Sequence, residues 1–174
     1  MKSFPKKING YSLVEILVYL AIFVSVSILV INSFIIILNS FNITRVNREL
    51  LEGGSTAMER MSREIRQAVD VDISGSTLGS NPGVLLVDQI GLGGSGSNFT
   101  AKFMVSNGGL ILYKDGTLVD NLVGQNVSVT NLIFRRIVTT SGEAVKIEMT
   151  LQDTRGSLTK SANFYDTVIM RSEY

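Results

Sequence analysis

The stretch KKINGYSLVEILVYLAIF, residues 6–23, begins with two lysines and a glycine and then turns almost wholly apolar, apart from one carboxylate, Glu15. From Ile16 to Leu38 there is no charged residue and no proline. As an α-helix these positions span about 34 Å, enough to cross the hydrocarbon of a bilayer. Ser25, Ser27, Asn32 and Ser33 dilute the run without breaking it. The expectation is a membrane-inserted helix with an acid at its start, where a charge is costly.

The rest of the composition is that of a folded protein. The chain has 174 residues, 45% of them hydrophobic and 18% charged, room for one domain with a sizeable core. Lys2, Lys6 and Lys7 make the leader Met1–Gly10 basic. Of the 16 basic residues they leave 13 in the remainder, against 15 acidic, a net charge of −2. A mildly acidic body gives no electrostatic warrant for nucleic-acid binding, which needs a clustered basic surface. Positive residues ahead of the run favour a cytoplasmic N-terminus, although Arg45 and Arg48 beyond its other end weaken the asymmetry. The chain has no cysteine and no histidine. Disulfides, thiolate or imidazole metal sites, and Ser–His or Cys–His nucleophile pairs are therefore excluded. A carboxylate site stays open on composition, but most familiar hydrolytic machinery is missing; the expectation is no enzyme activity and no cofactor.

An ordinary secretory signal has an apolar core of about 7 to 15 residues followed by a small-residue cleavage site. Here the core is longer and runs through Ile35-Ile36-Ile37-Leu38 into Asn39-Ser40-Phe41, so it reads as retained. A signal anchor accounts for the lysines and the length but not for Glu15. A carboxylate near the centre of a membrane helix costs roughly 2.5 to 3.5 kcal/mol, less near the interface, and such residues tend to be functional. Glu15 lies one turn into the run, so a tolerated interfacial acid and a functional acid both stand on the residues alone.

The arrangement Lys6-Lys7-Ile8-Asn9-Gly10, then Tyr11-Ser12-Leu13-Val14-Glu15 and a long apolar helix, closely resembles the N-terminus of type IV prepilins and pseudopilins. The resemblance implies that Lys6 and Lys7 serve leader recognition and that a prepilin peptidase cuts after Gly10. It also implies methylation of the new terminal amine on Tyr11, where the family usually has phenylalanine. The family's glutamate at the fifth mature position falls on Glu15, and its role there is assembly. The implied partners are the prepilin peptidase, other pilin or pseudopilin subunits, an inner-membrane assembly platform and membrane lipid; nucleic acid is not expected. The implied place is the cytoplasmic membrane of a bacterium, single-pass with the N-terminus inside and the head outside, and a filament after assembly. The physics is compatible. Tyr11 and Glu15 lie four apart on one helix face, and an acid in the first turn is favoured by the helix dipole.

Beyond Leu38 the pattern becomes amphipathic, with Phe41, Val46, Leu50 and Leu51 among Arg45, Arg48, Glu49 and Glu52. Gly53-Gly54 is expected to interrupt or kink the helix, and Met58, Met61, Ile65 and Ala68 or Val69 continue the stripe, opposite Arg60, Arg63 and Arg66. The methionine stripe reads as core. From Ser74 onward seven segments read as strands: 84–90, 99–105, 110–114, 117–123, 127–137, 144–152 and 162–170. Asp115-Gly116 is a hairpin signal. The expectation is α+β: a leader at 1–10, a membrane and stalk helix at 11–69 interrupted near 53–54, and a globular head at 70–174 with an antiparallel sheet packed on the helix. The segments 57–69, 107–137 and 145–153 resemble minor pilins and J-type pseudopilins.

Other constellations yield to simpler readings. Residues 91–96 match G-x-G-x-x-G, but a β-type stretch follows where a dinucleotide site needs a helix, so they read as a hairpin loop. Asp70 and Asp72 lack the spacing of a calcium loop and read as solvated carboxylates. Arg135-Arg136 lies in a strand, where alternation sends the two side chains to opposite faces. A second functional reading is a membrane-anchored adhesive or DNA-uptake tip module.

Overall fold

The computed structural model describes residues 12–90, 98–140, 142–155 and 158–171. Its first element is one helix, α1 (Leu13–Arg66), and the chain divides into two compact units after Ile43. In the first unit the amide N–H groups of Glu15 and Ile16 both donate to the Ser12 carbonyl, at 3.0 and 3.2 Å, and open the helix. Every residue from Ser12 to Ile43 is exposed except Ser27, which is half-buried. A helix that is apolar on all faces and buries none of them is matched to a hydrocarbon solvent. α1 is long and apolar enough to cross a membrane.

The second unit, from Thr44, holds the rest of α1 and eight strands. β1 (Ala68–Val71), β2 (Leu85–Ile90), β3 (Asn98–Ser106), β4 (Gly109–Lys114) and β5 (Thr117–Asn121) form one antiparallel sheet in chain order. β6 (Val127–Thr139), β7 (Gly142–Arg155) and β8 (Leu158–Ile169) form a second. The α+β arrangement, one long apolar helix and then antiparallel sheets, is as the sequence indicated. β3 and β4 meet through Asn107-Gly108, and β4 and β5 through Asp115-Gly116. All four turn residues have φ between 49° and 78°, the left-handed conformation that a two-residue hairpin requires. Asp115 adds a bond, its carboxylate accepting from the Thr100 N–H at 2.8 Å.

One core joins these parts. Val46, Leu50, Ala57, Met61 and Ile65 of α1 are buried with Leu85, Val87, Phe103, Leu110 and Leu112 from the first sheet and Leu132, Phe134, Ile147, Met149 and Leu151 from the second. The intervals along α1 are those of one helix face, so the methionine stripe is core as expected. In β7 the inward set is Val145, Ile147, Met149 and Leu151, strict alternation. In β6 it is Val129 and then Leu132, because the register shifts between Val129 and Asn131 and resets the parity.

Two expectations about the helix are corrected. The interruption foreseen at Gly53-Gly54 is absent, and α1 runs through both residues. Gly54 instead lets a ring come close: a Cβ there would stand within 2.5 Å of three ring atoms of Phe164 in β8, whereas one at Gly53 would meet nothing within 4 Å. The helix also ends at Arg66 and not at residue 69, because Ala68–Val71 pairs with β2 as a strand. The compact unit that holds the sheets also takes in the end of the helix, from Thr44.

Candidate functional site

Glu15 lies in the first turn of α1, and its side chain is exposed. Among the described residues its hydrogen-bond partner is Tyr19, one turn on, whose Oη donates to Glu15 Oε1 at 3.2 Å. That spacing of four was legible in the sequence but was not read there. The phenol occupies Oε1, and no other described residue bonds the carboxylate. A carboxylate with one such bond has capacity for a further cation or donor. Lys6, Lys7, Gly10 and Tyr11, the residues expected for leader recognition, cleavage and methylation, lie outside the described residues. So do residues 91–96; they connect β2 to β3, which pair antiparallel from Ile90↔Asn98, and no helix follows them.

In the head, two carboxylates of α1, Glu64 and Glu49, are tied into the sheets. Glu64 is 2% exposed, on the core side of the helix three residues after Met61. Its carboxylate takes Lys114 Nζ at 2.9 Å, Arg60 Nη2 at 3.2 Å and Gln89 Nε2 at 3.0 Å, and Gln89 also donates to the Glu64 carbonyl at 2.8 Å. Desolvation is the largest single influence on this carboxyl and pushes its pKa up. The bonds from Lys114 and Gln89 and the charges of Lys114 and Arg60 together outweigh it, so Glu64 titrates below its ordinary range. This cluster fixes α1 to β2 and β4.

A second cluster ties α1 to the other sheet. Arg155 bonds Glu49, and its Nη2 lies 3.3 Å from Asp153 Oδ2, near enough for charge attraction but without hydrogen-bond alignment. Asp153 continues the inward alternation of β7 and is fully buried, and neither of its carboxylate oxygens accepts a hydrogen bond among the described residues. Burial pushes its pKa up. Read one position further along the alternation, the sequence would have shown this.

The other polar candidates behave as the sequence suggested. Asp72 accepts from Ser74 Oγ at 2.6 Å, from the Ser74 N–H at 2.8 Å and from the Gly75 N–H at 3.1 Å, a local turn. The Ser74 hydroxyl, then the Gly75 amide, hold its carboxyl below the usual range. Arg135 pairs with Glu148 at 3.3 Å, and Arg136 with Glu143 at 2.6 Å, so the two arginines do not act together. No group of three or more metal-ligating side chains occurs among the described residues. A groove of about 880 Å³ lies between α1 and β8, with Leu51, Met58, Arg63, Arg66, Phe164 and Tyr165 among its lining. Ser62 Oγ crosses it to Asp166 Oδ2 at 2.6 Å. Glu59 and Asp166 share the groove with the arginines, so its charge is mixed.

Comparison of the chain with protein-family models, with curated proteins and with solved structures finds no match.

Proposed function

We propose that this chain is a structural subunit of a type IV pilus or of a type II secretion-like filament, a minor pilin or pseudopilin. On this reading a prepilin peptidase removes the leader after Gly10 and methylates Tyr11. The processed subunit waits in the cytoplasmic membrane with its head outside, and an inner-membrane platform then draws it into the filament through α1. The subunit acts by assembly; no reaction is assigned to it.

The observation that carries the reading is the form of α1. One unbroken helix is bare and apolar through its first unit, has an acid at its first turn, and then becomes the core helix of an antiparallel α+β head. The N-terminal resemblance supports it from the sequence side. Glu15 supplies the chemistry. A terminal amine made by cleavage, on the same subunit or on a neighbour, is the cation this carboxylate would pair with, and pairing offsets the desolvation of both charges. Glu15→Ala is expected to leave leader cleavage intact while sharply reducing incorporation into filaments, scored in sheared filament fractions. Normal incorporation of a processed Glu15→Ala subunit refutes the role.

The groove between α1 and β8 favours a second reading, an anchored binding module at the tip of such a filament. Its mixed charge suits a protein or glycan ligand better than nucleic acid. A Tyr165→Ala variant that still assembles but loses attachment would favour this reading over a purely structural head.

A further inference from the structure

Asn32 is the one polar side chain between Ile16 and Leu38 that finds no partner among the described residues. Ser25, Ser27 and Ser33 donate to the carbonyls of Ala21, Phe23 and Leu29, at 2.9, 2.8 and 2.9 Å, and Tyr19 donates to Glu15. The Asn32 carboxamide has no such partner and is fully on the surface of the helix. Six residues separate it from Leu38, so it stands about 9 Å inside the apolar run, beyond the reach of a short side chain to the interface. Two donors and an acceptor held in hydrocarbon without partners are costly, and the cost is relieved only by a group on another helix.

The pattern around Asn32 shows which face meets that helix. Ser25, Asn32 and Asn39 are seven apart, with Ile28 and Ile35 between them, which is the a and d spacing of a helix-pairing seam. The chemistry shows what the helix carries. A carboxamide is self-complementary, donating from its nitrogen and accepting at its oxygen, so two can bond reciprocally. Copies inserted with the same polarity hold Asn32 at the same depth, so a second copy presents the matching group without further adjustment. We propose that Asn32 pairs two copies of this chain in the membrane, with Ile28 and Ile35 packed on either side. A single buried asparagine in such a seam sets register and partner number. The proposal rests on the membrane-spanning reading of α1 and assigns the contact that holds subunits together before or during assembly.

The chain has no cysteine, so a single introduced thiol is unique. Ile28→Cys and Ile35→Cys lie on the Asn32 face, and Val30→Cys and Phe34→Cys lie on the opposite one. With the full-length chain in native membranes and copper-phenanthroline as oxidant, the first pair is expected to give disulfide-linked homodimer in several-fold higher yield than the second. Asn32→Leu in the Ile28→Cys background should lower that yield about three- to tenfold, the range of interhelical hydrogen bonds in membranes, while Asn32→Gln largely keeps it. Equal yields on the two faces, a yield unmoved by Asn32→Leu, or a product with a different protein in place of the homodimer overturns the pairing. Alkaline carbonate extraction of the same membranes separates the premises. A chain that is extracted refutes the spanning helix itself, and a retained chain without Asn32-dependent dimer refutes only the pairing.

Discussion

Gly53 and Gly54 are adjacent in one helix and are predicted to respond oppositely to alanine. Alanine is about 1 kcal/mol better than glycine inside a helix. At Gly53 a Cβ meets nothing within 4 Å, so Gly53→Ala should collect this gain and raise the melting temperature by about 4 °C. At Gly54 the same Cβ falls on the Phe164 ring, within 2.5 Å of three of its atoms. Either the ring or the helix must move, and overpacking of this kind costs about 1 to 3 kcal/mol. That cost cancels or exceeds the helix gain, so the two variants should differ by about 1 to 3 kcal/mol, with Gly54→Ala the less stable. Thermal unfolding of the purified full-length chain in detergent, followed by near-ultraviolet circular dichroism, measures the difference. Adding Phe164→Leu should recover part of the loss in Gly54→Ala and nothing in Gly53→Ala. If Gly54→Ala melts at or above Gly53→Ala, the close approach of Phe164 to the helix is wrong, and with it the reason given for a glycine at position 54.

Further consequences follow from the charged clusters. Glu64→Gln keeps the shape but loses the attraction of Lys114 and Arg60, and should destabilise the head by about 1 to 3 kcal/mol in denaturant unfolding at neutral pH. Because the folded pKa of Glu64 is depressed below its ordinary 4.5, this stability is present above that pH and is lost as pH falls through the folded value. The gap between wild type and Glu64→Gln should therefore close in acid. Asp153 has the opposite sign. Its folded pKa is raised above the ordinary 3.8, so its burial weakens the fold at neutral pH and that penalty fades as pH falls; Asp153→Asn should match or exceed the wild type at pH 7 and lose that advantage in acid. An Asp153→Asn variant much weaker at pH 7 would show that Arg155 needs the charge. Tyr19→Phe removes the donor to Glu15, and if that bond orients the acid it should lower filament incorporation by less than Glu15→Ala does, as read in the same sheared fractions.

Much of the fold was legible because local and global preferences agree. The bare helix follows from 23 uncharged residues without proline, and the β4–β5 hairpin from Asp115-Gly116, whose φ values of 49° and 76° are those that such a turn demands. What was not legible depends on partners distant in the chain. Ala68 and Val69 continue the spacing of Met61 and Ile65, so they read as helix; pairing with β2 overrides that pattern. Gly53 and Gly54 are indistinguishable in sequence, and only Phe164 on β8 tells them apart. The shift of register after Val129 moves the inward set of β6 from odd to even numbers, which no fixed alternation anticipates. At the candidate site, Glu15 was found as a misfit in an apolar run, and its partner Tyr19 was missed although it sits at the ordinary helical spacing of four. Glu64 drew no notice in the sequence, yet its position three after Met61 already placed it near the core face.

The central claim is that the chain is cut between Gly10 and Tyr11 and works as the processed subunit. Intact-mass and N-terminal peptide mass spectrometry of the protein isolated from its native cell envelope tests this most directly. The account predicts a chain that begins at Tyr11 with a methylated terminal amine. A mature protein that still carries Met1 and the Lys6-Lys7 leader would contradict it.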